Sequence, residues 1–126
     1  MITKIISVFL LSSTNGWNIN DIGKIYDNDE SEAAEKHNAE VFSKAFKQIN
    51  DSPNEDRTLW VPSENDFSMF PVNATGLHNV TLKIDGNIRA TKNYKEWPHE
   101  GNAYLHFIHL MNCTDIKFEG QGIIDG

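Results

Sequence analysis

Two stretches of the chain alternate apolar and polar residues and then reach a glycine that follows an acidic residue. The first covers residues 79–88 and reads NVTLKIDGNI, and the second covers residues 112–126 and reads NCTDIKFEGQGIIDG. When Gly86 is aligned with Gly120, 34 residues later, the apolar positions before the two glycines coincide. Each stretch is typical of a strand that ends in a sharp turn. A strand-turn unit repeated at a fixed offset predicts a stack of similar coils.

Further short apolar runs, separated by turn residues, precede these stretches. In the run TLWVP, Leu59 and Val61 share one face, and Val61 lies 23 residues before Ile84, a suitable length for one coil of a β-solenoid. The 34-residue offset then requires an insertion. We place it at residues 91–102, which are polar, contain a proline and a glycine, and show no periodicity. Narrow inward rows of Val, Ile, Leu and Phe are consistent with a hydrophobic content of only 39%.

One amphipathic helix is predicted ahead of the strands, at residues 38–49, with Asn38 as its N-cap. Residues 17–23 predict a short strand and a turn. Residues 27–36 read DNDESEAAEK and predict a charge-rich loop or a solvated extension of the helix, and their acidic spacing does not match a Ca²⁺-binding loop. The apolar face of the predicted helix is formed by Val41, Phe42, Ala45, Phe46 and Ile49.

The N-terminus, residues 1–16, has the order of a secretory signal peptide. A single charge at Lys4 is followed by a short apolar run and then by small residues. We expect cleavage between Ser13 and Gly16, which leaves residues 17–126 as the β-helix domain of a secreted protein. A buried first strand is the alternative. The apolar run is far too short for a membrane-spanning helix.

Composition narrows the classes of partner. The chain has 126 residues, which is typical of one domain, and carries 18 acidic against 11 basic residues, a net charge of −7. This balance argues against nucleic acid and anionic membranes as partners, because both require basic patches. The single cysteine, Cys113, cannot form an intrachain disulfide and is interpreted as a small buried apolar residue. No nucleotide or dinucleotide fingerprint is present, and we expect no cofactor.

Four Asn-x-Ser/Thr triplets begin at Asn50, Asn73, Asn79 and Asn112. In a secreted chain such triplets are acceptors for N-linked glycans, and we take Asn73, Asn79 and Asn112 as the glycosylation candidates. Asn73 is expected to be the most exposed of them. Asn79 and Asn112 stand where a strand begins, so hydrogen bonding in a turn is their alternative role.

Taken in order, NINDIG, the helix NAEVFSKAF, TLWVP, NVTLKIDGNIRAT, WP and HFIHLMNCTDIKFEGQGIIDG resemble the N-terminal part of glycoside hydrolase family 28. These are the polygalacturonases and their relatives. The resemblance covers roughly residues 18–126 and rests on the order and spacing of the motifs. The chain departs from the family at residues 27–36, where the family usually has a shorter, glycine-containing loop.

The resemblance implies an all-β fold, a right-handed parallel β-helix of the pectin-lyase-like type. The chain would supply its N-terminal coils and a helical cap, and would be truncated before the catalytic coils. Covering the end of a solenoid is also physically reasonable, because a bare end exposes apolar side chains and unpaired backbone groups.

The catalytic motifs of the family do not occur in this sequence. The family uses an Asn-x-Asp motif in its own context, an Asp-Asp pair, Gly-His-Gly and Arg-x-Lys, all of which lie beyond the corresponding point in the chain. We therefore assign no catalytic residue. Glu119 and Asp125 could form an acid pair, but we interpret them as turn residues. His106 and His109 are expected on opposite faces of a strand, where they cannot readily share a metal, so we assign no metal site either.

The functional hypothesis is the N-terminal fragment of a secreted polygalacturonase-type hydrolase that acts on pectin-like polysaccharide with inversion, inactive by itself. The full-length family member is expected to be a monomer that binds polysaccharide through its later coils. One alternative is a non-catalytic carbohydrate-binding or structural piece, with Trp60, Tyr94 and Trp97 as candidates for sugar stacking or for packing under the insertion. Another is a different pectin-lyase-like enzyme, such as a rhamnogalacturonase.

Overall fold

The structure, a computed structural model, describes residues 16–53 and 55–126, so the expected signal peptide lies outside the described residues except for Gly16. Strands hold 38% of the described residues and helices 25%, which makes the fold β-rich. The helices are α1 (Ile19–Ile22), α2 (Glu32–Asp51) and a 3₁₀ turn (Tyr94–Glu96). The strands are β1 (Trp17–Asn18), β2 (Thr58–Val61), β3 (Asp66–Met69), β4 (Val72–Thr75), β5 (His78–Ile84), β6 (Asn87–Ala90), β7 (His99–Glu100), β8 (Ala103–Tyr104), β9 (Ile108–Met111), β10 (Thr114–Glu119) and β11 (Ile123–Asp125).

Three of the sheets are parallel, and the chain visits them in a constant order. Their strand orders are β1-β2-β5-β10, β3-β6-β11 and β4-β9. A first circuit therefore runs through β2, β3 and β4, a second through β5, β6 and β9, and a third through β10 and β11. The remaining pair, β7 and β8, is an antiparallel hairpin inside the second circuit. The prediction of a β-rich chain with stacked parallel strands is confirmed at this level.

The register between circuits differs from the one expected from the sequence repeat. Between β2 and β5, Leu59 lies opposite Leu82, which confirms the 23-residue spacing. Between β5 and β10, Val80 lies opposite Ile116, a separation of 36 residues, so the alignment at 34 residues is wrong. When one strand is shifted by two residues along its neighbour, each side chain stays on the same face of the sheet. The alternation of apolar and polar residues is therefore the same for a 34-residue and a 36-residue register, and it could not reveal the error.

Backbone conformation explains the true register. The sequence alignment placed Asp85-Gly86 opposite Glu119-Gly120. In the structure, residues with the same backbone conformation lie on one another instead. Asn79 and Asp115 both have a φ of 55°, in the left-handed region that Asn and Asp tolerate best, and they are 36 residues apart. Each lies near the start of its strand, so the two left-handed corners stack at the same 36-residue offset as the paired strands.

Helix α2 covers the front of the first circuit. Its buried face includes the five predicted apolar positions, and Phe42, Ala45 and Ile49 are fully buried. They join one core cluster with the inward residues of the strands, such as Leu59 and Phe67. Burying a side chain of Phe or Ile size contributes about 1.5–3 kcal/mol, so this face supplies much of the attachment of the cap.

The helix begins earlier than predicted, and Asn38 is not its N-cap. Ser31 is the N-cap, and its Oγ accepts a hydrogen bond from Ala34 N at 3.3 Å. Residues 32–36 thus form the helical extension that was one of the two alternatives for this stretch, supported by a Lys36–Glu32 ion pair. The two alanines that follow Glu32 favour helix, which explains why the charge-rich stretch continues it.

Asn38 instead lies fully buried between three segments. Its Oδ1 accepts from Tyr26 N at 2.9 Å, and its Nδ2 donates to the carbonyls of Tyr26 and Ser68 at 3.1 and 3.0 Å. The side chain therefore joins the loop before α2, the helix itself and β3. A buried amide that satisfies three backbone groups fixes the position of the cap on the first circuit.

The other end of α2 is held by Arg57. Its Nη1 donates to the carbonyls of Ile49 and Ser52 at 2.9 and 3.0 Å, and its Nε donates to His78 O at 3.2 Å. A cation at the C-terminus of a helix satisfies carbonyls that lack helical partners and complements the helix dipole. Arg57 thereby ties the cap to the second circuit.

Asn38→Ala is expected to destabilise the chain by about 3 kcal/mol, because it removes three hydrogen bonds to backbone groups, of which the bond to Ser68 O is fully buried. Ser31→Ala, which removes only the N-cap bond, is expected to cost about 1 kcal/mol. Urea unfolding followed by circular dichroism measures both. Asn73→Ala, an exposed strand position, is the control. Equal losses for the Asn38 and Ser31 variants would contradict the bridging role of Asn38.

Candidate functional site

The third circuit leaves one end of the stack uncovered, and this end is the most distinctive surface of the described chain. Ile116, Phe118 and Ile124 continue the inward rows of the circuits below, opposite Val80, Leu82 and Ile88 respectively. Phe118 is 52% exposed and Ile124 is 38% exposed, whereas Leu82 and Ile88 are buried. Strands β10 and β11 are also edge strands of their sheets. The end therefore presents apolar side chains beside backbone groups that can pair with a further strand.

A shallow groove crosses this end. It is lined by Ile84, Phe118, Glu119, Gly120, Gly122 and Ile124. Its floor belongs to the second circuit and its walls to the third. Its apolar lining and its position suit packing by another layer of chain better than chemistry on a small polar substrate.

Asp85 links all three circuits at the turn between the first two sheets. Its Oδ2 accepts from Trp60 Nε1 at 2.8 Å, and its Oδ1 accepts from Gln121 N at 3.1 Å. The indole N–H of Trp60 lowers the pKa of this carboxyl below its usual 3.8, burial opposes the shift, and Gln121 N–H and Lys83 assist it. The carboxylate is thus a structural acceptor that stays ionised at neutral pH, with one donor on each oxygen, which makes it unsuitable as a general acid.

The two acidic residues considered as a catalytic pair do not form one. Glu119 ends β10 and Asp125 ends β11, so both lie in strands of different sheets and not in turns as expected. Glu119 pairs with Lys117 at 3.4 Å. Both carboxylates are exposed. Neither lies in the apolar enclosure in which a glycosidase holds its catalytic acid.

The aromatic candidates separate into two groups. The indole of Trp60 is used by Asp85, and Trp97 packs against Phe107 at 6.4 Å while its Nε1 donates to Leu105 O at 2.8 Å. Trp97 therefore holds the insertion against the second circuit, as the packing alternative predicts. Tyr94 is 69% exposed, and in the same insertion Tyr104 is 66% exposed. Sugar stacking uses the face of a ring, and Tyr94 presents more exposed ring surface for it than the half-buried Trp60 and Trp97.

The histidine pair does not behave as the sequence predicted. His106 precedes β9, whereas His109 lies within it, and the chain bends at Phe107 between them. The alternation of side chains along a strand therefore does not apply to this pair. The rings of His106 and His109 consequently meet edge to face, with their centroids 5.0 Å apart. The expectation that they lie on opposite faces is wrong. Within residues 16–53 and 55–126, however, no three His, Cys, Asp or Glu side chains gather as a metal cluster.

All three glycosylation candidates are exposed. Asn73 lies in β4. Asn79 is the second residue of β5 and Asn112 stands at the corner before β10, and both have a left-handed φ, of 55° and 53°, so these two shape the chain at a corner as well. Asn50 differs, because it is half-buried and its Oδ1 accepts from Arg57 Nη2 at 3.4 Å. The structure thus leaves room for a glycan on each of the three candidates.

Cys113 is half-buried and not buried as expected, and its Sγ donates to Met111 O at 3.3 Å. It follows Asn112 at the corner before β10, in the third circuit, and no further layer of the described chain lies above this circuit. Its exposure therefore has the same origin as that of Phe118.

Sequence reasoning treated Asp85 only as a turn residue. The 23-residue spacing could have predicted its contact with Trp60. This spacing places Trp60 opposite Lys83, which is two residues before Asp85. An indole N–H and a carboxylate on adjacent strands, two positions apart, are within reach of each other. Arg57 gave no such signal, because three of the four hydrogen bonds that its side chain makes to described residues go to backbone carbonyls.

Comparisons with protein-family models, curated proteins and solved structures gave no match. No helix in the described part of the chain has the length and apolar character needed to cross a bilayer.

Asp85→Asn is expected to lower the free energy of unfolding by about 1 kcal/mol at pH 7, because the amide cannot accept from both Trp60 and Gln121 as strongly as the carboxylate. The depressed pKa in the folded state means that this contribution is present above pH 3.8 and is lost as the pH falls through the folded-state value. The difference from the parent chain should therefore shrink below about pH 4.

Urea titrations between pH 3 and pH 7 measure this difference, with Asp125→Asn as the exposed control. A loss that is the same for both variants, or that stays constant across this range, would contradict the assigned role of Asp85.

Proposed function

We propose that the chain is the N-terminal, capped part of a right-handed parallel β-helix of the pectin-lyase-like type, belonging to a secreted polygalacturonase-type glycoside hydrolase. In this proposal the described circuits anchor and position later circuits, which carry the chemistry. The substrate is a pectin-like galacturonan, hydrolysed with inversion.

The topology supports the fold in this proposal. Three parallel sheets visited in a constant order, with in-register circuits, are the arrangement of a three-sheeted solenoid. A helix that precedes the first circuit and closes one end of the core suits a cap. The order of elements also follows the resemblance: an opening strand and glycine, a helix, a strand ending at Val61 and Pro62, a tryptophan-bearing insertion, and the final Gly-x-Gly segment.

The single observation that carries the proposal is the contrast between the two ends of the core. At one end α2 buries the inward rows completely, and at the other end Phe118 and Ile124 continue those rows and are exposed. A further circuit in the same register would bury both side chains and pair the edges of β10 and β11. We take this occupant to be further coils of the same protein.

The chemistry of inversion supports the assignment of catalysis to later circuits. An inverting glycosidase needs a carboxylic acid and a carboxylate about 6.5–9.5 Å apart, one to protonate the leaving oxygen and one to activate water. The acidic residues considered for this purpose, Glu119 and Asp125, are exposed strand residues of different sheets. The proposal therefore assigns catalysis to later circuits and none to the described ones.

The expected signal peptide at residues 1–16 and the exposed candidates Asn73, Asn79 and Asn112 support the secreted location in this proposal. A single continuous stack closed at its ends has no further apolar surface that calls for a partner, so we propose a monomer.

A second candidate function, carbohydrate binding without catalysis, is favoured by the exposed Tyr94 and Tyr104 on the insertion. Aromatic rings that stand in solvent are suited to stacking on the apolar face of a sugar. Calorimetric titration of the 126-residue chain with oligogalacturonides tests this candidate. A measurable heat that Tyr94→Ala and Tyr104→Ala abolish would support it, and no heat would reject it.

The proposed function is tested by comparing the product of the complete reading frame with the 126-residue chain on polygalacturonate, rhamnogalacturonan and a neutral glucan. We expect the product of the complete reading frame to release reducing ends from polygalacturonate, with early products of inverted anomeric configuration by NMR. We expect the 126-residue chain to release none. Hydrolysis by the 126-residue chain, or no activity of the complete product on either pectic polymer, would contradict the proposal. Cleavage of rhamnogalacturonan alone would correct the substrate.

A further inference from the structure

The contact between His106 and His109 lies outside the apolar core of the stack. Both rings belong to the outer surface: His106 is exposed, and His109 is half-buried between two inward neighbours, Ile108 and Leu110, that pack on the core. Their ring centroids are 5.0 Å apart, with an angle of 66° between the ring planes. The bend at Phe107 holds the two side chains on the same side of the chain.

This spacing is compatible with a shared metal ion. A first-row metal binds imidazole nitrogen at about 2.0–2.1 Å, and two rings on adjacent tetrahedral positions then have centroids about 5 Å apart. The observed separation is close to this distance. The rings now meet edge to face, so binding requires a rotation of the two surface side chains that turns one nitrogen of each toward a common point.

We propose that His106 and His109 form an exchangeable site for a first-row transition-metal cation of the Zn²⁺, Ni²⁺ and Cu²⁺ class. Imidazole nitrogen selects these ions over Ca²⁺ and Mg²⁺, which prefer oxygen. The net charge of −7 favours cations in general. This inference does not rest on the proposed glycosidase function.

The remaining coordination positions are open to solvent. The residue opposite His109 across the β4–β9 ladder is Asn73, whose exposed side chain offers an amide oxygen near the pair. No third His, Cys, Asp or Glu joins the pair within the described residues. Two protein ligands and water give a weaker and more labile site than a structural zinc site with four protein ligands. The site is therefore expected to load and unload with metal concentration and not to be needed for folding.

The other described histidines provide internal controls. His99 makes a ring contact with Tyr104, and His78 is exposed and is not in ring contact with another histidine of the described chain. A lone exposed histidine binds a transition metal through one nitrogen only. His78→Ala therefore removes one imidazole of the same type without touching the pair.

The test uses the tag-free 126-residue chain after treatment with a chelator. Calorimetry with Cu²⁺, Ni²⁺ and Zn²⁺, together with NMR of the histidine ring protons, should show one equivalent of metal perturbing His106 and His109, with Cu²⁺ bound most tightly of the three. His106→Ala and His109→Ala should each weaken binding by about tenfold or more, and His78→Ala should leave it unchanged. Binding should weaken as the pH falls, because the imidazoles must be deprotonated to coordinate.

Three results would overturn the proposal: no perturbation of the two rings by any of the metals, unchanged affinity in both pair variants, or an equal loss in His78→Ala. Thermal melts of the metal-free variants show whether the substitutions disturb the fold. If one alanine variant melts earlier, the corresponding asparagine variant keeps the shape of the surface and replaces it in the titration.

Discussion

The fold depends on close stacking of backbone at the turn between the first and second sheets. Gly86 of the second circuit lies directly on the first, where an added Cβ would come within 2.5 Å of Pro62 O, and Gly122 of the third lies on Gly86 in the same way. Asn87 N donates to Asn65 O at 3.0 Å and Ile123 N donates to Gly86 O at 3.1 Å, so the turns are hydrogen-bonded from circuit to circuit. Only residues without a side chain fit at these two positions, which makes the turn the feature that sets how each circuit sits on the one before.

The register that follows from this stacking determines where the core is closed and where it is open. With Leu59, Leu82 and Phe118 in one inward row, the first member is covered by the cap and the last has no layer above it. Asn38 and Arg57 position the cap, and Asp85 ties the three turns together through Trp60 and Gln121. The polar residues of the structure thus fix orientation, while the apolar rows supply the burial. The proposed function requires this asymmetry, because a capped end and an open end together suit the beginning of a longer stack.

Much of this arrangement could be predicted from the sequence. Alternation at Leu59 and Val61, the apolar face of α2 and the 23-residue spacing all follow from local periodicity and are present in the structure. The 36-residue register was not predictable in this way. A shift of two residues leaves the alternation of apolar and polar residues unchanged, and the left-handed corners at Asn79 and Asp115 are not marked by any pattern of apolar residues. The buried role of Asn38 and the contact of His106 with His109 were missed for a related reason. Both depend on where the chain bends in three dimensions, and local propensity does not contain that information.

The most direct test of the stacking is a disulfide trap across the second and third circuits in a Cys113→Ser background. The register places Thr81 opposite Lys117, with both side chains on the outer face, so Thr81→Cys with Lys117→Cys brings two thiols to adjacent positions on neighbouring strands. Lys83→Cys with Lys117→Cys is the matched pair that a 34-residue repeat would place together. Under mild oxidation the account predicts an intramolecular disulfide in the first double variant, detected by intact mass and peptide mapping, and little or none in the second. Preferential cross-linking of the second pair, or of neither pair, would contradict it.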